Sequence, residues 1–338
     1  MASPEQLLLP ELAPFRIAPR FVGRVWGYRD LRPWYDRVAA SGEPIGEVWL
    51  TGDECLVATG PHAGKALGGL FAEIPEVMLG KAATRRGSPL LIKVLFAREK
   101  LSVQVHPDDS LAQKYGQPCG KTECWYVLAA EPGAKVAVGL NPGVTLDKIE
   151  EGIRAGTLEE SLRLMQVAAG ETIFVDAGTV HAIWPGSILL ETQQNCDLTY
   201  RMYDYGRGRE LHVARALEAT QLVTRSGELP AKELKDRTIL VDEEYFRMER
   251  IPVAGNWTGD ALAGDDKPVP GLAYLFAAAG SGRIYSPWKG FEAIDLPARG
   301  MVAVPAASPE FVIENTGGLD LIRITPNWPR VPPSRASQ

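Results

Sequence analysis

A glutamine and a histidine two residues apart in LSVQVHPDDS, residues 101–110, are of types and at a spacing that could do chemistry. Leu101, Val103 and Val105 alternate with Ser102, Gln104 and His106, which is the period of a half-buried strand. Gln104 and His106 therefore share a face, about 6.6 Å apart at a rise of roughly 3.3 Å per residue, a separation that two ligands can close on one metal ion. Pro107 ends the ladder because it has no amide hydrogen to donate. A core histidine hydrogen-bonded to a neighbour would leave the same trace in this decapeptide, so the choice depends on the rest of the chain.

Two further stretches bear on it. GETIFVDAGTVH, residues 170–181, reads as a strand over Thr172 to Val175, a turn at Asp176 to Gly178, and His181 just beyond. ETQQNCDLTYRMYDYGR packs Glu191, Asp197, Arg201, Asp204 and Arg207 into 17 residues. A solvated edge strand would also carry such charge. This one, however, follows the buried-strand run SILL, Ser187 to Leu190, and lies close behind His181, which favours a functional reading.

The elements that must position these residues read mainly as strands. With 34 Gly and 26 Pro in 338 residues, the density of breakers predicts short strands in a sandwich or jelly roll. Helices read as insertions. In Thr145 to Gln166, Leu146, Ile149, Ile153, Leu158, Leu162 and Met165 recur at helical spacing, predicting two short helices around Gly156, the second opened by a Thr157–Glu160 capping box. Thr145 and Lys148 do not complete such a box. A shorter helix is predicted near Ile74 to Ala83. SGELPAKELKDR reads as a polar connection, which divides the chain into residues 1–225 and 226–338. In the second part, GLAYLFAAAGSGRI and LPARGMVAVPAASPEFVIENTGG read as strand-turn-strand units, and the tail PNWPRVPPSRASQ as a loose Pro-rich surface segment.

Composition limits the function classes. Hydrophobic residues at 45% and charged residues at 23% describe an ordinary globular protein. A net charge of −6, from 36 Lys plus Arg against 42 Asp plus Glu, argues against a nucleic-acid footprint over the whole molecule. The N-terminal stretch has no cationic segment leading into an apolar core, and no apolar run approaches a membrane span. Cys55, Cys119, Cys124 and Cys196 form neither a disulfide framework nor a C-x-x-C pair, which fits a reducing, cytoplasmic compartment.

GETIFVDAGTVH resembles the second motif of the cupin superfamily, with Gly170, Gly178 and the metal-binding histidine, His181, at the family spacing. Asp176 replaces the motif's proline and Pro185 its asparagine. Upstream, QVH stands where cupins usually carry H-x-H. Those departures narrow the resemblance. LSVQVHPDD, KTECWYVL, DAGTVHAI and ETQQNCDLTYRMYDYGR together resemble type I mannose-6-phosphate isomerase, particularly its short bacterial form, over roughly residues 20 to 215.

The resemblance implies a cupin jelly-roll β-barrel as the catalytic domain, with a helical insertion around 145–166, followed by a C-terminal cupin-like β domain. Laying Pro305 on Asp176 puts Glu310 at His181, so that second domain is expected to bind no metal. Carried over position by position, the metal ligands are Gln104, His106, Glu123 and His181. The groups for catalysis are Arg201, Lys121, Glu191 and Asp197, and those for the substrate phosphate are Ser102, Lys121 and Arg207, with Arg209 as a substitute for Arg207. His62 and His212 are read as structural or surface residues. Two imidazoles, a carboxylate and an amide oxygen suit one divalent metal ion, Zn²⁺ first, and one carboxylate leaves the centre cationic. Such an ion can polarise the carbonyl of an open-chain sugar and stabilise an enediolate.

The expected activity is thus metal-dependent interconversion of mannose 6-phosphate and fructose 6-phosphate through a cis-enediol. It would be carried out by a monomer or homodimer whose partner is a small sugar phosphate, not nucleic acid or membrane. Either carboxylate, Glu191 or Asp197, could shuttle the proton, and Arg201 serves better as a clamp on developing negative charge than as a base. An Fe(II) dioxygenase could also be built on two histidines and a carboxylate, although Lys121 and Arg201 would have no evident task there. A sugar-phosphate sensor would keep the pocket without turnover.

Overall fold

The computed structural model describes residues 12–40, 42–80, 87–258 and 271–327. The expectations for the extreme N-terminus, for Lys81 to Ala83 and for the tail from Trp328 on lie outside these residues. The chain divides into two compact units, neither of them continuous. One comprises Met1–Pro19, Thr51–Pro89 and Lys232–Gln338; the other comprises Arg20–Leu50 and Leu90–Ala231. No helix among the described residues is long and apolar enough to cross a membrane.

The second unit holds every residue singled out above as a ligand, catalytic group or phosphate donor. A seven-stranded antiparallel sheet runs in the order Gly227–Glu228, Thr172–Val175, Glu123–Ala130, Ser187–Gln194, Leu90–Ala97, Ile45–Trp49, Arg20–Tyr28. A five-stranded antiparallel sheet runs Tyr200–Tyr203, Val103–Val105, His181–Ile183, Lys135–Leu140, Leu162–Gln166. Apolar residues of both, among them Leu95, Trp125, Val136, Val138, Ile183 and Leu189, form one buried core between them. On the other face of the smaller sheet, Val103, Val105, Ala182, Tyr200 and Met202 form a second core with Ile149 and Ala216 of the helices Leu146–Ala155 and Val213–Ala219.

Period-two alternation then fixes which residues face the space between the sheets. Because their neighbours belong to the outer core, Gln104, His181 and Arg201 point inward, and they lie in one cross-strand row with both His181 and Arg201 opposite Gln104. From the larger sheet Lys93, Glu191 and Trp125 form a matching row in register.

The other unit carries a seven-stranded sheet, from Phe15–Ile17 through Met301–Val304 and Ala273–Ala279 to Lys232–Glu233, and a four-stranded sheet, Asn256–Thr258, Val312–Asn315, Gly282–Tyr285, Ile294–Leu296. Leu275, Ala277, Val302 and Leu321 of the first and Ile284, Leu296 and Ile313 of the second share a core.

Mainly β architecture is observed, but the expected jelly-roll β-barrel is not. Among the described residues each of four sheets is open and runs between two end strands without returning to its first. Strand length and breaker density predict strands and turns; closure depends on hydrogen bonding between the two edge strands of a sheet, which they do not encode.

The helical insertion also differs. Helix Leu146–Ala155 is present, opened by Thr145, whose Oγ1 accepts from Lys148 N at 3.3 Å, and closed by Gly156 in the left-handed region at φ 75°. The second expected helix is only a 3₁₀ turn, Leu158–Ser161, followed by the edge strand Leu162–Gln166. The Thr157 side chain caps nothing there. Backbone pairing with Lys135–Leu140 outweighs the weak helical spacing of Leu162 and Met165. Helix Pro75–Leu79 lies within the predicted stretch, and helices Leu67–Glu73 and Asp109–Lys114 were not foreseen.

Gly120 explains how the turn after His106 meets the segment carrying Lys121. A Cβ on it would lie 2.4 Å from the carbonyl carbon of Asp108 and 2.5 Å from Pro107 O. In its absence Gly120 N donates to Asp109 Oδ1 at 2.7 Å and Lys121 N to Pro107 O at 3.0 Å. Gly120→Ala is expected to destabilise the protein by about 1–3 kcal/mol through backbone overpacking, read as a lowered midpoint in thermal or urea unfolding. An unchanged midpoint would show that this turn yields freely.

Candidate active site

Three potential ligands meet between the sheets. Ligand atoms of His106, Glu123 and His181, all buried, lie within 4.8 Å of one another. His106 Nε2 is 3.6 Å from Glu123 Oε2 and His181 Nε2 is 3.5 Å from Glu123 Oε1. Each imidazole is oriented from behind, His106 Nδ1 against Leu198 O at 2.9 Å and His181 Nδ1 against Thr179 O at 2.8 Å. A carbonyl can only accept, so both Nδ1 atoms carry the proton and both Nε2 lone pairs face Glu123, the arrangement of metal-ligating histidines. Gln104 Nε2 stands 3.2 Å from His181 Nε2, and Ser102 Oγ donates to Gln104 Oε1 at 3.2 Å.

Burial sets the protonation of these groups. It pushes the His181 pKa down to about 4 and His106 well below its usual value, against the bonds to Thr179 O and Leu198 O. Both rings are therefore neutral and able to donate a lone pair. Burial and the neighbouring Glu191 push Glu123 upward, while Lys121 pulls it back. Neither Glu123 oxygen receives an aligned hydrogen bond, although Lys121 Nζ is at ion-pair distance, 2.6 Å from Oε2. A buried carboxylate short of donors beside two neutral imidazoles fits a divalent cation, whose charge would favour the ionised form.

Lys121 also lies 3.0 Å from His106 Nε2 and 3.9 Å from Glu191 Oε1. Lys93 Nζ lies 2.8 Å from Glu191 Oε2 and 3.9 Å from Glu47 Oε2. Glu47 in turn receives Arg24 Nε and Nη2, each at 3.0 Å, and Trp49 Nε1 at 2.7 Å. Against the cost of burial, Lys93 and Lys121 hold Glu191 well below the usual carboxylate range, and Glu191 and Glu47 hold Lys93 above the usual ammonium value.

Several of these groups border a cavity of about 450 Å³. Gln104, Lys121, Glu123 and Glu191 line one part of it, and Ser102, Asp197, Arg201 and Arg209 also form its wall. His106 and His181 are not on the wall. The structure thus brings the four expected ligands together with Lys121 and Glu191, while Asp197, though on the wall, is exposed. Arg201 Nη1 donates to Glu210 O at 2.9 Å. Arg207 is off the wall, 3.3 Å from Glu99 and 3.6 Å from Asp204, whereas Arg209, with its Nε on Asp204 at 2.8 Å, is on it. His212 is half-buried, its Nδ1 accepting from Arg201 N at 3.2 Å. His62 is half-buried as well.

Sequence reasoning passed over Lys93, Glu47 and Arg24. The signal for Lys93 was present: one lysine inside LLIKVLFA, a strand buried along its whole length, is taken largely out of water and needs anions beside it.

Residues 15–135 match the sequence family described as phosphomannose isomerase type I, catalytic domain. The chain is 32% identical over 290 residues to mannose-6-phosphate isomerase ManA of Bacillus subtilis, covering 81% of this chain and 88% of that one. It is 33% identical over 246 residues to the mannose-6-phosphate isomerase of Streptococcus mutans, covering 69% and 77%. The chain belongs to the type I phosphomannose isomerase family. The crystal structure of a mannose 6-phosphate isomerase from Bacillus subtilis superimposes with a TM-score of 0.80 at 30% identity, covering 93% of this chain and 99% of that one. As a type I phosphomannose isomerase family member, the chain is an enzyme, with a buried His106, Glu123 and His181 cluster fit for a metal ion.

His181→Ala removes one of two imidazole donors and exposes Glu123 to a site with less compensation. Metal analysis of the purified variant is expected to give well under one ion per chain while circular dichroism stays that of the parent. Full occupancy would remove His181 from the ligand set.

Proposed function

We propose that the protein interconverts mannose 6-phosphate and fructose 6-phosphate, with one divalent ion, Zn²⁺ before other metals, held by Gln104, His106, Glu123 and His181. The observation that carries this reading is the buried His106, Glu123 and His181 cluster with Lys121 and Glu191 beside it on a cavity wall, in a member of this family. When bound, the ion supplies Lewis-acid polarisation of the open-chain carbonyl and charge to offset the enediolate. Gln104 would join the set through its amide oxygen, the atom with lone pairs to give, once the amide is flipped so that the oxygen takes the place of Nε2 beside His181.

Isomerisation through a cis-enediol needs a group that takes a proton from C2 and returns it to C1 on one face. Glu191 is favoured over Asp197 by position: it is buried beside Lys121 and the ligands, whereas Asp197 is exposed. Lys93 fixes the Glu191 carboxylate at 2.8 Å, so its orientation does not have to be found anew in each turnover. Lys121 would stabilise negative charge at the reacting end, and Arg201, always protonated, would do so from the cavity wall. Ser102 and Arg209, both on the wall, are proposed to receive the phosphate, with Lys121 adding positive charge and Arg207 acting from behind the wall through Asp204. A reducing, cytoplasmic setting and a monomer or homodimer complete the proposal; four buried thiols fit the first.

A coupled assay following fructose 6-phosphate formed from mannose 6-phosphate tests the reaction. Turnover is expected from metal-replete protein, with loss on chelation and recovery on adding metal back. Bound metal without turnover would sink the isomerase reading. Arg201→Ala is expected to keep its metal and lose about 10²–10³ in kcat, the scale of removing one charge-stabilising donor. Glu191→Gln should be far slower than Asp197→Asn, and the reverse order would move the proton shuttle to Asp197.

A further inference from the structure

Arg24 was not among the residues that the sequence singled out, yet it lines the same cavity as Arg201 and Arg209, from a different segment of chain. Its side chain is held unusually firmly for an arginine. Nε and Nη2 form a side-on fork to the two oxygens of Glu47, at 3.0 Å each, and Nη1 donates to Gly23 O at 3.2 Å. Glu47 is itself buried and fixed by Trp49 Nε1 at 2.7 Å. The backbone is shaped around the same residue: a Cβ on Gly46 would lie 2.5 Å from Arg24 Cβ and 2.8 Å from the Trp26 ring.

A guanidinium has five N–H donors. The three bonds above use Nε–H, one hydrogen of Nη2 and one of Nη1, which leaves one on each Nη. Those two N–H groups are left to meet the oxygens of a phosphate. Ordering a free arginine would cost side-chain entropy at the moment of binding, and Glu47 has already met that cost in the folded protein. Arg201 and Arg209 add positive charge on the same wall, and Arg201 Nε is buried without a hydrogen-bond acceptor.

We propose that Arg24 is a substrate-positioning residue, presenting the remaining N–H of each Nη to the phosphate of the sugar phosphate while Glu47 holds the guanidinium in place. The assignment rests on the sugar-phosphate reading above. It adds a donor to the anion's end of the cavity: Glu191 stands beside the ligand cluster, and Arg24 joins Ser102, Arg209 and Lys121 at the phosphate. Glu47 links the two, since the carboxylate that holds Arg24 also lies 3.9 Å from Lys93 Nζ.

The test is steady-state kinetics on metal-loaded wild type, Arg24→Met and Arg24→Lys, with inorganic phosphate as competitive inhibitor and metal content measured alongside. For Arg24→Met, KM for mannose 6-phosphate and Ki for inorganic phosphate are expected to rise together by about 10- to 100-fold, the loss of charge-assisted hydrogen bonds. The kcat should stay within about threefold and metal content should not change. Arg24→Lys keeps the charge without the two Nη donors and should recover only part of the loss; it also carries the test if Arg24→Met does not fold. A fall in kcat with KM and Ki unchanged would overturn the proposal, because Arg24 would then act only through Glu47 and Lys93. Unchanged kinetics in both variants would overturn it as well. Wild-type protein without turnover on mannose 6-phosphate would instead overturn the sugar-phosphate reading, and this assignment with it.

Discussion

Two almost wholly buried ammonium groups govern the site. Lys93 and Lys121 lie between the sheets in a sequence of alternating sign, Glu47, Lys93, Glu191, Lys121, Glu123, with neighbouring charged atoms 3.9, 2.8, 3.9 and 2.6 Å apart. Taking any one of these ions out of water costs several kcal/mol unless an opposite charge replaces the lost hydration. The alternation supplies that replacement at every position. It also means that no member can shift alone, because each lysine serves two carboxylates. Such an array is a poor way to gain stability, but it holds charges in place where a reaction will need them.

The two sheets are what make the alternation possible. Each contributes one row of inward residues at fixed register, Gln104, His181 and Arg201 from one and Lys93, Glu191 and Trp125 from the other. The same space is filled by Leu95, Val136, Val138 and Leu189 elsewhere, so the polar rows are the open end of an otherwise apolar interlayer. That apolar floor desolvates the histidines and keeps them neutral, and it desolvates Glu123 and raises the benefit of a cation beside it. One physical cause thus prepares both kinds of ligand. The carbonyls of Leu198 and Thr179 then choose the tautomer, which places this choice in loop backbone where no side-chain pattern announces it.

Parts of the site were legible because strand periodicity is short-range. The alternation around Gln104 put its side chain on a face opposite to Val103 and Val105, and the structure agrees. Around Glu123 alternation carries no information, since that strand sits inside the larger sheet and Cys124 and Tyr126 are buried as well. Arg207 and Arg209 are two residues apart in one turn, and only the fold sends the second to the cavity wall and leaves the first on Glu99. Glu47 and Arg24 escaped notice for a related reason: one glutamate in IGEVW, or two arginines in RFVGRVWGY, are ordinary until the strand is known to border a cavity.

By itself the sequence determined the mainly β character, the strand that carries Gln104, the buried run Ser187 to Leu190 ahead of Glu191, the helix after Thr145, and through four ordered motifs the family to which the chain belongs. Tertiary structure alone decided that the sheets stay open, that Leu162–Gln166 is an edge strand instead of a helix, and that Lys93 and Arg24 reach the cavity. The division has a physical basis. Periodicity and turn chemistry act over a few residues and are written locally. Sheet closure, edge pairing and the partners of a buried charge depend on segments tens of residues apart, and they are settled only when those segments compete for the same hydrogen bonds and the same dry space.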